Sequence, residues 1–197
     1  MSTDTHAPTT RTRIARAASM GAVAGVIASL MMAAYAMIAA ATYQGSGFFT
    51  PLYHIASTFI SPDDMMSSME GAMGGSNFEF YFGPALLGAL IHMMVGAMYG
   101  MGFGVLANLT RIHGMALVAA AVLWGGLVFV ISSFVGLPLA AAIFDSGDQI
   151  TNMAELVGYG TFLIEHLVFG LFLGLILFMG AKRARLAPSA PTSEDQT

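Results

Sequence analysis

Four long apolar segments constrain the fold of this chain more than any other feature of its sequence. They cover residues 20–43, 82–109, 114–137 and 156–181, and each is as long as the roughly 20 apolar residues that a helix needs to cross a bilayer. Only 9% of the 197 residues are charged, against about 25% in a soluble domain. Since lipid offers the backbone no hydrogen bonds, these segments must be helical. The sequence predicts an all-α polytopic membrane protein, a four-helix transmembrane bundle in the lipid bilayer.

Charge is divided between the two ends of this bundle. Basic residues occur only before the first segment, between the second and third, and after the fourth: Arg11, Arg13, Arg16, Arg111, Lys182, Arg183 and Arg185. The other two loops carry acidic residues instead: Asp63, Asp64, Glu70, Glu79, Asp145 and Asp148. Short loops rich in Lys and Arg stay on the cytoplasmic side. We therefore expect a multi-pass protein of a bacterial or archaeal inner membrane with both termini in the cytoplasm.

The remaining segments divide the chain further. Residues 1–17 and 186–197 are polar and rich in Ser, Thr, Pro and Ala, which predicts disordered cytoplasmic tails around a transmembrane domain at 18–185. The outer loop at 44–81 is the longer of the two outer loops. Its stretch 45–60 is largely apolar but too short to span, so it either lies in the interface or enters the membrane and returns.

The two halves of the chain share a pattern that is consistent with a parallel two-helix repeat. Each half carries a Pro-Leu pair and a His-x3-Gly-x3-Gly motif, formed by Pro51, Leu52, His92, Gly96 and Gly100 and by Pro138, Leu139, His166, Gly170 and Gly174. Two-helix repeats of this kind would be related by an axis along the membrane normal. Chance likeness between apolar segments is the alternative.

Glycines recur every four residues along the second apolar segment. Gly88, Gly96, Gly100 and Gly104 share this spacing, and His92 fills the remaining place. Residues four apart lie on one face of a helix, and small residues there let two helices approach closely in lipid. The glycine stripe therefore predicts a helix–helix contact.

The histidines of the second and fourth segments lie at one predicted depth. His92 comes 15 residues before Ala107 and His166 comes 14 before Gly180, about 21–22 Å from the inner boundary at 1.5 Å per residue. A polar ring at that depth needs a partner and suggests a functional role.

Three interpretations of this histidine pair remain open. Each ring can hydrogen-bond a neighbouring helix and add only packing specificity. The two rings can instead ligate the iron of a b-type haem between the second and fourth helices, with Gly96 and Gly170 leaving room for the macrocycle. Thirdly, they can bind a metal ion or relay protons with Glu155 or Glu165, although Glu165 should point about 100° away from its neighbour His166.

Methionine is abundant, with 16 residues in the chain. Met65, Met66, Met69 and Met73 fall at helical spacing in the outer loop, close to acidic residues. Thioethers are soft ligands that suit Cu(I), so this loop is a candidate copper site. The alternative is an interfacial helix whose apolar face is made of Met.

Motifs of well-known enzymes are missing from the sequence. It has no Walker loop, HExxH, GxSxG or dinucleotide fingerprint, and a net charge of -4 does not suggest nucleic acid as a partner. We therefore expect a non-enzymatic protein. Four helices should leave little room for a substrate cavity, which favours a homo-oligomer or a subunit of a membrane complex.

The segment after the first helix, Gly45-x-Gly47-Phe48-Phe49-Thr50-Pro51-Leu52, together with the two histidines, resembles small four-helix bacterial inner-membrane proteins of unknown function. The resemblance covers about residues 20–181 and implies the fold without an activity. Three functions stay open at this point: a protein that binds haem b or a metal, a structural or assembly subunit, and a copper-binding protein.

Overall fold

The computed structural model describes residues 9–186, and their side chains as far as residue 183. Its helices are α1 (Thr10–Thr42), α2 (Thr50–Ala56), α3 (Asp63–Met73), α4 (Phe82–Thr110), α5 (Met115–Ile131), α6 (Leu137–Phe144), α7 (Asp148–Thr151), α8 (Met153–Val157) and α9 (Tyr159–Leu186). A π-helical turn joins α5 to α6, so that Met115–Phe144 is one long helix. This helix, α1, α4 and α9 are each long and apolar enough to cross a membrane. The predicted all-α four-helix membrane fold is confirmed.

The first helix begins earlier than the hydrophobic pattern predicts. Thr9 caps it, its hydroxyl accepting a hydrogen bond from the Thr12 N–H at 3.4 Å. The turns at 10–17, assigned above to a tail, are rich in Arg and Ala, which are good helix formers. They therefore extend the spanning helix. The rest of that tail and nearly all of the tail at 186–197 lie outside the described residues.

The third spanning helix runs past residue 137, where the sequence placed its end, to Phe144. Pro138 has no N–H, and its ring would clash with the carbonyl four residues earlier in a regular α-helix. The π-helical turn Ser132–Gly136 comes directly before it, with the Leu137 N–H bonded to the Ser132 carbonyl. The wider turn lets the helix continue through the proline. Pro138 thus lies inside a spanning helix, whereas Pro51 begins the short helix α2, so the two Pro-Leu pairs are not equivalent in the structure.

Two glycine contacts hold the bundle together. In the first, Gly21 and Gly25 of α1 lie against Gly96, Gly100 and Gly104 of α4, so closely that an added Cβ would overlap the opposite backbone. In the second, the glycines at 170 and 174 of α9 face the backbone of α5 in the same way. The predicted role of the stripe on α4 in helix packing is confirmed by these contacts.

The order of the spanning helices leaves one side open. The helix α1 packs against both α4 and α9, and α9 packs against α5. In the described chain α4 has only slight contact with α5 and no extensive contact with α6. The short helix α2 packs on the outer part of α4, where its Leu52 carbonyl meets Gly88. A space bounded by all four spanning helices therefore remains below α2.

Candidate ligand cavity

A cavity of about 390 Å³ occupies this space. That is within the range of about 300–1,000 Å³ for small-molecule sites, so the expectation that four helices leave little room is wrong. Apolar side chains form most of its wall, including Met32 of α1, Met98 of α4, Leu137 of α6 and Phe169 of α9. Polar side chains interrupt that wall: Ser29, Gln44, His54, Thr58, His92, Tyr99, Ser132, Glu165 and His166.

His166 is held in a defined orientation on α9. It is only 4% exposed, and its Nδ1 lies 2.7 Å from the carbonyl oxygen of Phe162 one turn earlier. A carbonyl only accepts, so Nδ1 carries the hydrogen and donates, which leaves Nε2 as an acceptor. The ring also lies edge-on to Phe162, with centroids 4.5 Å apart. The ring borders the cavity, and its Nε2 takes part in none of the hydrogen bonds among the described residues.

His92 on α4 also donates one ring N–H to a backbone carbonyl, but it uses the other ring nitrogen. Its Nε2 donates to the Ser29 carbonyl at 3.0 Å and so connects α4 to α1. By the same reasoning Nδ1 is the free acceptor. The two predicted histidines line one cavity, as their equal depth suggested. Each ring has one nitrogen committed to packing and one that remains available to a ligand.

Glu165 is the most unusual polar group of the cavity. It is 5% exposed and borders the cavity, and its carboxyl group takes part in none of the side-chain hydrogen bonds among the described residues. It comes one residue before His166, which places it about 100° away around the helix, yet both residues border the cavity. Carboxyl groups in protein interiors normally have a hydrogen-bond partner, because burying one without a hydrogen bond costs free energy.

Gly96 and Gly170 do not provide the room that the haem hypothesis assigns to them. A Cβ on Gly96 would lie 2.5 Å from the Ser29 Cβ, and one on Gly170 would overlap the Ala121 carbonyl. Helices α1 and α5 therefore fill the space beside these glycines. Both positions serve the helix contacts, so a group held by the histidines would have to use the cavity itself.

The outer end of the cavity is closed by hydrogen bonds that the sequence did not reveal. The His54 Nε2 donates to the Gln149 carbonyl at 2.8 Å, and the Ser146 hydroxyl donates to Thr58 at 2.7 Å. Gln44 closes the adjacent corner by donating to the Val157 carbonyl at 2.8 Å. These contacts join the two outer loops into a roof, which we define as residues 44–60 together with 145–157. Burial lowers the pKa of His54, and its hydrogen bond opposes part of that shift.

Metal ligands are not gathered within the described residues. No three His, Asp or Glu side chains there lie close enough together to hold an ion. The candidate copper residues are divided, since Met65 is buried with Leu52 and Tyr53 whereas Met66, Met69 and Met73 are exposed. The three exposed residues form an apolar strip along α3, as an interfacial helix would have.

Comparison with known proteins adds no relative: no protein-family model, curated protein or solved structure matches this chain. The resemblance inferred from the segment at 45–52 stays a prediction.

Proposed function

We propose that this chain is a non-enzymatic membrane protein that binds a small apolar molecule in the cavity between its four spanning helices. The observation that carries the proposal is that the Glu165 carboxyl group and the free imidazole nitrogen of His166 both border a mostly apolar cavity. Sites for small molecules combine mostly apolar walls with a few polar groups that fix orientation.

Energetics support a bound group at this place. Glu165 and His166 are 5% and 4% exposed, and polar groups among spanning helices have a functional role by default. If the histidines served only helix packing, their hydrogen bonds to backbone carbonyls would involve one nitrogen of each ring. The second nitrogen and the carboxyl group of Glu165 would then have no role. A ligand with one polar group and an apolar body would satisfy both kinds of surface in the cavity.

Native mass spectrometry of the protein in nanodiscs made from its host membrane tests this proposal. The wild type should carry a small molecule that Glu165→Leu and His166→Leu lose. Glu165→Gln, which keeps a hydrogen-bonding group, should retain part of it. The matched control is Ile164→Leu, since this neighbour on α9 is exposed at the lipid-facing side and does not border the cavity. Equal occupancy in the wild type and both leucine variants would reject the proposal.

Ligation of haem b or a metal ion is the second candidate for the same cavity. Both histidines border it, and each has one N–H bonded to a backbone carbonyl, the arrangement typical of metal-ligating histidines. An absorbance spectrum of protein purified from haem-replete cells separates the candidates. A Soret band that His92→Ala and His166→Ala both abolish would favour haem. A colourless protein that still carries an organic ligand would leave the first proposal standing.

Copper binding by the exposed Met strip and a purely structural role are the remaining alternatives. Elemental analysis after copper loading tests copper binding. The bound copper of the wild type is compared with that of variants in which Met66, Met69 or Met73 is changed to Leu. The role of an assembly subunit would be supported if the protein carries neither an organic ligand nor a metal and if its loss disrupts a larger complex. Blue native electrophoresis in mild detergent would detect that complex or a homo-oligomer.

We also propose that both termini are cytoplasmic in an inner membrane of bacterial or archaeal type. The support is the exclusive placement of Lys and Arg outside the acidic loops. Because the chain has no cysteine, single cysteines can report its topology. A membrane-impermeant maleimide should label Ser76→Cys in intact cells and label His113→Cys only after lysis. The reverse pattern would invert the proposed orientation.

A further inference from the structure

The packing of the helices determines from which side a molecule can reach the cavity. The roof closes the outer end through the hydrogen bonds of Gln44, His54 and Ser146. Three sides are closed because α1 packs on α4 and on α9, and α9 packs on α5. The fourth side, between α4 and α6, has no extensive contact in the described chain. That side is where lipid would lie.

Exposed apolar side chains mark this fourth side as an opening. Met94 and Met98 of α4 line the cavity and are 64% and 58% exposed, and Phe59 and Phe144 line it from the roof side at 51% and 48%. A side chain that both borders a cavity and is half exposed stands at its mouth. We define these four residues as the rim. A molecule dissolved in the bilayer can reach the cavity between them without crossing water.

The charge of the cavity restricts the polar end of such a molecule. No described residue that lines it is Lys or Arg, and its polar groups are a carboxyl, an amide, hydroxyls and imidazoles with free acceptor nitrogens. A phosphate or carboxylate would meet no cation there and would face Glu165 instead. A hydroxyl group fits, because its O–H can donate to the His166 Nε2 and its oxygen can accept from other donors.

We infer that the ligand is a neutral, long-chain amphiphile with a hydroxyl head, such as a long-chain or isoprenoid alcohol, a quinol or a diacylglycerol, which enters from the bilayer between α4 and α6. This inference rests on the proposed function of the cavity and names its ligand class. The hydroxyl lies at Glu165 and His166, the first part of the chain fills the cavity, and the rest of the chain leaves through the rim.

Photolabelling tests the path and the head group together. The probe is hexadecan-1-ol with a diazirine near the end of its chain, added to the full-length protein in phosphatidylcholine nanodiscs and mapped by peptide mass spectrometry. Labelling should concentrate on Met94, Met98 and Phe144 and be displaced by unlabelled hexadecan-1-ol. Glu165→Leu should weaken that displaceable labelling about tenfold, the value of one buried hydrogen bond, and Glu165→Gln should weaken it less.

The controls distinguish the failure of this inference from that of the proposed function. Val23 and Leu123 are exposed on spanning helices and do not line the cavity, so their labelling reports contact with bulk lipid and should not be displaced. Displaceable labels on cavity residues but not on the rim would overturn the sideways path while leaving cavity binding intact. Stronger displacement by hexadecanoic acid or hexadecyl phosphate than by the alcohol would overturn the neutral head group. Equal, undisplaced labelling everywhere would overturn both the inference and the binding function.

Discussion

The Nε2–H of His54 donates to the backbone carbonyl of Gln149 at 2.8 Å, so that α2, in the first outer loop, is tied to α7, in the second. The two residues are 95 positions apart in the chain. The imidazole is only 7% exposed, and it also borders the cavity. One side chain therefore contributes to the wall of the cavity and to the closure of its outer end.

Acidification should loosen the roof through His54. Burial lowers the pKa of His54 below the ordinary value of 6.5. When the roof is open, the imidazole of His54 therefore binds a proton at a pH at which it stays neutral in the closed roof. The free energy of opening is unaffected well above pH 6.5 and falls as the pH drops below 6.5 towards the lowered pKa. Hydrogen exchange of amides in α2 and α7 should therefore accelerate, after correction for intrinsic rates, as the pH falls below 6.5.

His54→Gln is the matched variant for this effect. Its side-chain amide can still donate to the Gln149 carbonyl, but it does not titrate. The corrected exchange rates of α2 and α7 should then be nearly independent of pH over the same range. A pH dependence that survives unchanged in His54→Gln would assign the effect to another group.

Substitution of Gly25 should damage the contact between α1 and α4. An added Cβ would overlap the carbonyl of Gly96, and overpacking of this kind costs about 1–3 kcal/mol. Gly102→Ala on α4 is the control, because the nearest atom to its Cβ would be 3.6 Å away on Trp124. Thermal unfolding in detergent should show a lower midpoint for Gly25→Ala and an unchanged or higher one for Gly102→Ala. Equal midpoints would mean that the two helices separate slightly at no cost.

Tyr53→Phe should weaken the connection between α2 and the start of α4. The hydroxyl donates to the Glu79 carbonyl at 3.0 Å and accepts from the Tyr81 N–H at 2.8 Å, and the residue is 1% exposed. Its loss leaves both backbone groups unpaired, at about 1–3 kcal/mol for a buried group. The Tyr81 amide should exchange faster in the variant, while Tyr43→Phe, at an exposed position, should leave it unchanged.

Two buried serines should respond oppositely to alanine. The Ser133 hydroxyl has no partner among the described residues, so Ser133→Ala removes an unmet polar group and should leave the midpoint of thermal unfolding equal or higher. The Ser68 hydroxyl is 2.9 Å from that of Thr50 and fully buried. Ser68→Ala breaks this hydrogen bond and should cost about 1 kcal/mol. A lower midpoint for Ser133→Ala would indicate that its hydroxyl has a partner, such as a water molecule.

The sequence predicted the spanning helices because their apolar segments match the thickness of a bilayer, a property that depends only on composition and length. Counting residues to the predicted membrane boundary gave the two histidines one depth, and both border the same cavity. The stripe on α4 predicted a close helix contact, and the matching Gly21 and Gly25 on α1 show the same spacing of four, which could have identified the partner helix.

Other features depend on which helices are neighbours, and the sequence does not specify that. The cavity exists because α4 and α6 fail to pack on each other, and no local pattern reports a missing contact. The roof depends on hydrogen bonds to backbone carbonyls, such as that of Gln149, which accept whatever their side chain is. The third spanning helix continues beyond Pro138 because a π-helical turn precedes the proline, and the spacing of apolar residues did not predict that turn.

The two glycine contacts make each half of the bundle stiff, because backbones that touch cannot slide past each other without overlap. The halves meet mainly along α1 and α9. Two stiff bodies joined along a single line keep one easy degree of freedom, a rotation about that line. Such a rotation would change the width between α4 and α6 while every glycine keeps its neighbour. Among the described residues, the hydrogen bonds of the roof and the contact between Phe103 and Trp124 resist it. The width of the gap between α4 and α6 therefore depends on the outer loops as well as on the helices.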